Sequence, residues 1–134
     1  MSDLEAACAY LKKAGTYYLA TSDGDQPRVR PFGTAHIFEG RLYIQTGLKK
    51  EVARQLRENP KAEICAMGKD GTWLRISGRL VLDERIEAQQ ALLADYPGLA
   101  GMYQAGDGNT AVYYFENAEG IISSFTKAPI TLKF

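Results

Sequence analysis

Several things this sequence lacks narrow its class. Histidine appears once, at His36, so no pair of histidines is available to hold a metal or to share acid–base work. The two cysteines, Cys8 and Cys65, are far apart and match no zinc or disulfide spacing. They read as free, mostly buried thiols of a reducing compartment. Net charge is also missing: 16 lysines and arginines balance 16 aspartates and glutamates. No strong field therefore draws the chain to nucleic acid or to an anionic membrane. No apolar run approaches the length needed to span a bilayer. The opening Met1-Ser2-Asp3-Leu4-Glu5 carries no basic-then-apolar signal pattern. Repeats, linkers and low-complexity segments are absent. The expectation is one cytoplasmic domain over residues 1–134, long enough to bury a core.

The most informative stretch is Pro27-Arg28-Val29-Arg30-Pro31-Phe32-Gly33. On a strand, alternate side chains share a face. Arg28, Arg30 and Phe32 then point one way, and Val29, Pro31, Gly33, Ala35 and Ile37 the other. The second set reads as the inside of a sheet, and the first offers two guanidinium groups and an aromatic edge. A guanidinium fork suits phosphate because it donates two parallel hydrogen bonds. An ordinary solvated arginine pair fits the same pattern. Pro31 has no backbone donor and marks an edge or a break in the ladder.

The chain opens with a helix started by a Ser2/Glu5 capping box, with Leu4, Ala7, Cys8 and Leu11 on one face and Gly15 as its end. Strands follow at 16–21, 28–38 and 41–46, joined by turns at 22–25 and 39–40, as an antiparallel meander. Leu48, Val52 and Leu56 then recur at helical spacing up to Asn59-Pro60, which predicts a helix over 48–58. Its first turn would carry Lys49 and Lys50, where the helix dipole favours acids. Two lysines make local sense there if an anion sits on the free backbone N–H groups. Thr46 could add a hydroxyl, and Gly47 would allow close approach. Lysines simply extended into solvent are the plainer alternative.

Strands are expected again at 62–66 and 72–83, the latter with Leu74, Ile76, Gly78, Leu80 and Leu82 facing the core. Trp73 lies on the opposite, polar face and needs cover from a second subunit or a flat ligand. A helix over 84–96, capped by Asp83 and stopped by Pro97, leads to a glycine-rich loop at 98–109 too irregular for a nucleotide fingerprint. Strands at 111–115, 121–125 and 130–134 complete the chain.

Together, the Pro-Arg-Val-Arg meander, Thr-Gly-Leu-Lys-Lys, a short helix ending Glu-Asn-Pro and Trp-Leu-Arg-Ile-Ser-Gly resemble the pyridoxamine 5′-phosphate oxidase-like family of flavin-binding split barrels. The resemblance spans roughly residues 16–82. It implies a mainly β fold with peripheral helices, a six-stranded antiparallel split β-barrel, and a homodimer holding FMN at the subunit interface. It also implies a flavin site of Arg28, Arg30, Pro31, Phe32, Gly33, Gln45, Thr46, Lys49, Lys50 and Trp73. Arg30, Lys49 and Lys50 would hold the phosphate, and Trp73 would reach across from the partner. Lys49-Lys50 stands slightly earlier than the family's Ser-Arg-Lys. The Tyr, Arg and Ser with which true pyridoxamine phosphate oxidases grip substrate phosphate fall on Gln90, Ala94 and Gly98, and the family's C-terminal Trp and Arg have no counterpart. The resemblance thus points to an FMN-dependent oxidoreductase on some other small substrate. A non-catalytic flavin- or haem-binding module is the alternative. A nucleic-acid-binding β-barrel is disfavoured by neutral charge and unclustered aromatics. His36 reads as a packed or surface residue, and no catalytic residue or metal ligand is assigned.

Overall fold

A computed structural model describes residues 1–134. Helix α1 (Asp3–Ala14) begins at Ser2, whose hydroxyl accepts from the Glu5 N–H while the Glu5 carboxylate accepts from the Ser2 N–H, and ends at Gly15. Strands β1 (Tyr17–Asp23), β2 (Gln26–Phe32), β3 (His36–Phe38) and β4 (Arg41–Gly47) follow, then α2 (Glu51–Glu58), β5 (Lys61–Met67), β6 (Trp73–Asp83) and α3 (Ile86–Asp95). A single 3-10 turn (Pro97–Leu99) opens the loop that leads to β7 (Thr110–Ser123) and β8 (Ile130–Lys133).

All strand pairs are antiparallel, in the order β2-β1-β5-β6-β7-β4-β3, with β8 also paired to β7. The two ends of this order are consecutive pieces of chain. The stretch expected as one strand over 28–38 is broken at residues 33–35: β2 pairs with β1, and β3 pairs with β4. One interrupted segment thus closes a six-stave split barrel, and the unpaired crossover marks the split. Pro31 causes no break, since it sits on the edge strand opposite Tyr18, where a missing donor is tolerated.

The barrel interior is filled by Leu19, Leu42, Ile44, Ile64, Leu74, Ile76 and their neighbours, and α1 closes it with Ala7, Cys8 and Leu11. A smaller cluster, Tyr43, Ala88, Leu92 and Val112, packs α3 onto the outside of β4 and β7. Both faces of β4 are therefore buried, while the outward ranks of β5 and β6 are largely exposed.

Several sequence expectations are corrected. The faces of β2 are reversed: Val29 is 67% exposed and Pro31 is exposed, whereas Arg30 and Phe32 turn inward. The reason is polar satisfaction. Arg30 Nη1 donates to Leu19 O (3.2 Å) and Thr21 Oγ1 (2.7 Å), and Nη2 donates to Gln55 Oε1 (2.6 Å). Its guanidinium thereby ties β1 and β2 to α2, which removes most of the cost of burying it. Helix α2 starts at Glu51, with Lys50 as its N-cap, so both lysines precede the first turn. Helix α3 starts at Ile86, and Asp83 instead accepts from the Arg85 N–H. Leu82 is exposed and Asp83 buried, because the end of β6 faces Tyr43, whose hydroxyl donates to Asp83 Oδ2 at 2.7 Å. The strands expected at 111–115 and 121–125 are one strand, β7, kinked where the register against β6 shifts and Asn117 takes φ 55°. Cys8 is buried, but Cys65 is exposed on the outer face of β5.

Candidate functional site

The barrel split opens into a cavity of about 310 Å³ lined by Pro31, Phe32, Gly33, Thr34, Gln45, Thr46, Lys50, Tyr96, Leu99, Met102 and Tyr103. Six residues chosen from the sequence, Pro31, Phe32, Gly33, Gln45, Thr46 and Lys50, meet here. A wider trough of about 450 Å³ lies on the outer face of the sheet among Lys61, Glu63, Ser77, Arg79 and Glu116. It is shallow and strung with surface charges. The smaller cavity has the better-built walls.

The crossover wall is fixed from three sides. Tyr17 OH donates to Thr34 O at 2.6 Å, and the Gln45 N–H donates to Thr34 Oγ1 at 2.9 Å. The Ala35 N–H donates to Tyr96 OH at 2.9 Å, and that hydroxyl donates to Ala35 O at 3.0 Å. Complete burial pushes the Tyr17 phenol well above its ordinary pKa. The end of α3 is held in turn by Asp95. Its Oδ2 accepts from Lys12 Nζ (2.6 Å) and pairs with His36 Nδ1 (2.9 Å). Those two hydrogen bonds, Lys12 first, lower the Asp95 pKa.

On the strand side, Thr46 is 5% exposed and Gln45 7%. Gln45 Nε2 donates to Thr46 O at 2.9 Å, while Gln45 Oε1 and Thr46 Oγ1 make no hydrogen bond within the chain. No fully inaccessible side-chain nitrogen or oxygen is left unpaired, so both oxygens keep some access to solvent, and both residues line the cavity. Neighbours on β4, the two side chains leave opposite faces of the strand; accessible polar groups at a cavity wall pair with water or with a ligand. Lys50 is the single charged residue of the lining.

Of the backbone amides expected to be free for an anion, those of Leu48, Lys49 and Lys50 are taken. Leu48 N–H donates to Asn109 O (2.7 Å), Lys49 N–H to Asn109 Oδ1 (3.1 Å) and Lys50 N–H to Gly47 O (3.1 Å). Four other residues picked from the sequence lie outside this cavity. Arg28 is exposed and pairs with Asp23. Arg30 is committed to its three bonds, and the Lys49 side chain points to solvent. Trp73 packs against Phe125 with ring centroids 5.1 Å apart and planes tilted by 55°, and Phe125 is itself 95% exposed.

The sequence reading missed Thr34, Tyr96, Leu99, Met102 and Tyr103. Most come from the loop after α3, which is strongly built. Asp107 accepts from the N–H groups of Gln104, Asn109 and Thr110, and the Gly106 N–H donates to Gln89 Oε1. Those backbone donors, Gln104 first, hold the Asp107 carboxyl far below the usual range. The run of Gly and Asp was a legible turn signal, but the cavity it folds over was not.

The pyridoxamine 5′-phosphate oxidase model matches residues 4–121. The chain belongs to the pyridoxamine 5′-phosphate oxidase-like family. Within this family it is 42% identical to a NimC/NimA family protein from Clostridium acetobutylicum, with a TM-score of 0.95 over 98% of this chain and 92% of that one. Two more distant structures share the fold. One is a pyridoxamine 5′-phosphate oxidase-related, FMN-binding protein from Nostoc punctiforme (15% identity, TM-score 0.63, 98% and 92% covered). The other is a haem-binding protein from Mycobacterium smegmatis (15% identity, TM-score 0.75, 99% of this chain and 58% of that one). No protein of curated function matches the sequence. The split barrel expected from the sequence is thus the fold of this family. No helix is long and apolar enough to cross a membrane.

Proposed function

We propose that the cavity at the barrel split binds FMN and that the chain works as a homodimer, as a flavin-dependent oxidoreductase on a small substrate. The observation that carries this reading is the cavity at the barrel split, whose wall includes two residues buried to more than nine-tenths, Gln45 and Thr46, with side-chain oxygens that have no partner in the chain. They suit the polar ring edge and ribityl hydroxyls of a flavin, Phe32 and Pro31 suit its flat apolar face, and Lys50 suits its phosphate. A bound flavin would supply hydride or electron transfer; the chain supplies position, exclusion of water and charge. The rigid crossover at residues 33–35 gives that positioning a fixed wall.

The dimer is supported by exposed apolar side chains: Tyr18, Val29 and Met67 on the strands, and Phe125 against Trp73. A second subunit would cover them and bring Trp73 towards the partner's cavity. The substrate is not pyridoxamine phosphate: Gln90, Ala94 and Gly98 supply no phosphate clamp, and none of them lines the cavity. Haem binding is the weaker reading. The cavity presents no histidine or cysteine, and His36 is engaged with Asp95.

An absorption spectrum after reconstitution separates these readings. A flavin band supports the proposal, a Soret band supports the haem alternative, and no chromophore from either cofactor overturns both. Steady-state turnover with NADH or NADPH then divides an oxidoreductase from a binder.

A further inference from the structure

Resting on the flavin reading above, we propose that the loop wall of the cavity takes an uncharged, flat electron acceptor of the quinone class, and that Met102 helps to set a preference for neutral over anionic substrates. This wall consists of Tyr96, Leu99, Met102 and Tyr103, contributed by the end of α3 and the loop behind it. None of the four carries a charge. The carboxylates that flank them in sequence are already engaged, Asp95 with Lys12 and His36 and Asp107 with the N–H groups of Gln104, Asn109 and Thr110. Lys50, the one charge of the whole lining, stands at the N-cap of α2 and belongs to the FMN phosphate in the flavin reading. A charged substrate on the loop wall would lose water without gaining a partner.

Shape points the same way. The Tyr96 hydroxyl is occupied by the N–H and C=O of Ala35, which leaves its ring as the surface it offers. Pro31 and Phe32 belong to the same lining. Met102 is 67% exposed, so it stands at the mouth of the cavity, where an unbranched thioether adapts to an aromatic face. Rings, a leucine and a methionine around an uncharged wall suit a flat apolar molecule. Reduction of a quinone there balances with the donors already named. NADH or NADPH gives up a hydride by way of the flavin, a proton comes from solvent, and the two C=O groups of the quinone become the C–OH groups of a hydroquinone. No leaving group is released.

The test uses FMN-reconstituted protein and two acceptors with one ring system, naphthoquinone and naphthoquinone sulfonate. Binding is read without a reductant, from the change in flavin absorbance, and turnover is read with NADH or NADPH. Wild type should bind and reduce the neutral quinone at least about tenfold better than the sulfonate, because the sulfonate loses water at a wall that holds no partner for it. Met102→Lys, at an exposed position, should keep its flavin and narrow that ratio by about twofold or more, as an exposed ion pair does. Leu99→Lys places the same charge elsewhere on the wall and should act in the same direction. The wild-type ratio decides by itself if a variant loses flavin. Equal or better use of the sulfonate by wild type, no saturable binding of either quinone, or an unchanged ratio in both variants overturns the inference and leaves the flavin reading standing. A wild-type chain that takes up no flavin overturns the flavin reading, and this inference with it.

Discussion

Replacing Thr46 with valine separates a ligand-binding polar atom from a structural one. The side chain is 5% exposed, on β4 opposite Ala111, and its hydroxyl has no partner in the chain. Valine keeps the branching and suits a strand at least as well. Removing a hydrogen-bonded buried hydroxyl costs about 0.5–1.5 kcal/mol, and more if it strands a partner. Here there is no partner to strand. The apo chain should therefore be unchanged or stabilised, by up to about 1 kcal/mol, as a partly desolvated polar atom becomes a methyl. FMN affinity should move the other way: loss of one neutral hydrogen bond weakens it by a few-fold to about tenfold. Urea denaturation of the apo protein and fluorescence titration with FMN read the two terms separately. If the apo chain loses more than about 1 kcal/mol, the hydroxyl has a structural role that the geometry does not show. If FMN binding is untouched, the oxygen does not face the flavin.

Tyr96→Phe removes the hydroxyl that serves both the N–H and the C=O of buried Ala35. It should cost about 2 kcal/mol or more in urea unfolding, since stranded buried backbone groups cost about 1–3 kcal/mol each, and should loosen flavin binding through the crossover. Asp83 gives an acid-stability signature. Arg85 first, then Tyr43, hold its pKa down to about 2, so its contribution is complete above the unfolded value of about 3.9 and disappears as pH falls towards 2. Asp83→Asn should be less stable at pH 7, with a flatter stability profile between pH 4 and 2; an unchanged profile removes Asp83 from acid unfolding. Trp73→Ala should weaken both dimerisation and flavin binding, measured by light scattering and titration. Unchanged mass and affinity would detach Trp73 from the site.

Local signals were readable wherever they are self-contained. The Ser2/Glu5 box, the turns at 22–25 and 39–40 and the alternation in β5 needed only neighbouring residues. Alternation in β2 put Arg30 and Phe32 on one face and Val29 and Pro31 on the other, but could not say which face turns inward or that Arg28 stays exposed. That depended on Thr21 and Gln55, remote in sequence, offering Arg30 a polar seat. The start of α2 was misplaced for a similar reason: Asn109, far along the chain, holds residues 48 and 49 in a turn that helical spacing alone cannot exclude. The far wall of the cavity was hidden because Tyr96 and Tyr103 acquire meaning only when α3 and its loop fold back across β4. The strand wall was legible through the family resemblance, which put Gln45 and Thr46 in the site, and both are buried residues of the cavity lining.

Size-exclusion chromatography of FMN-reconstituted protein, with light scattering and absorbance read on the same peak, reads cofactor and assembly together. The expected result is a dimer peak carrying one FMN per chain after free flavin has been washed away. A flavin-free peak after reconstitution, whatever its mass, would contradict it.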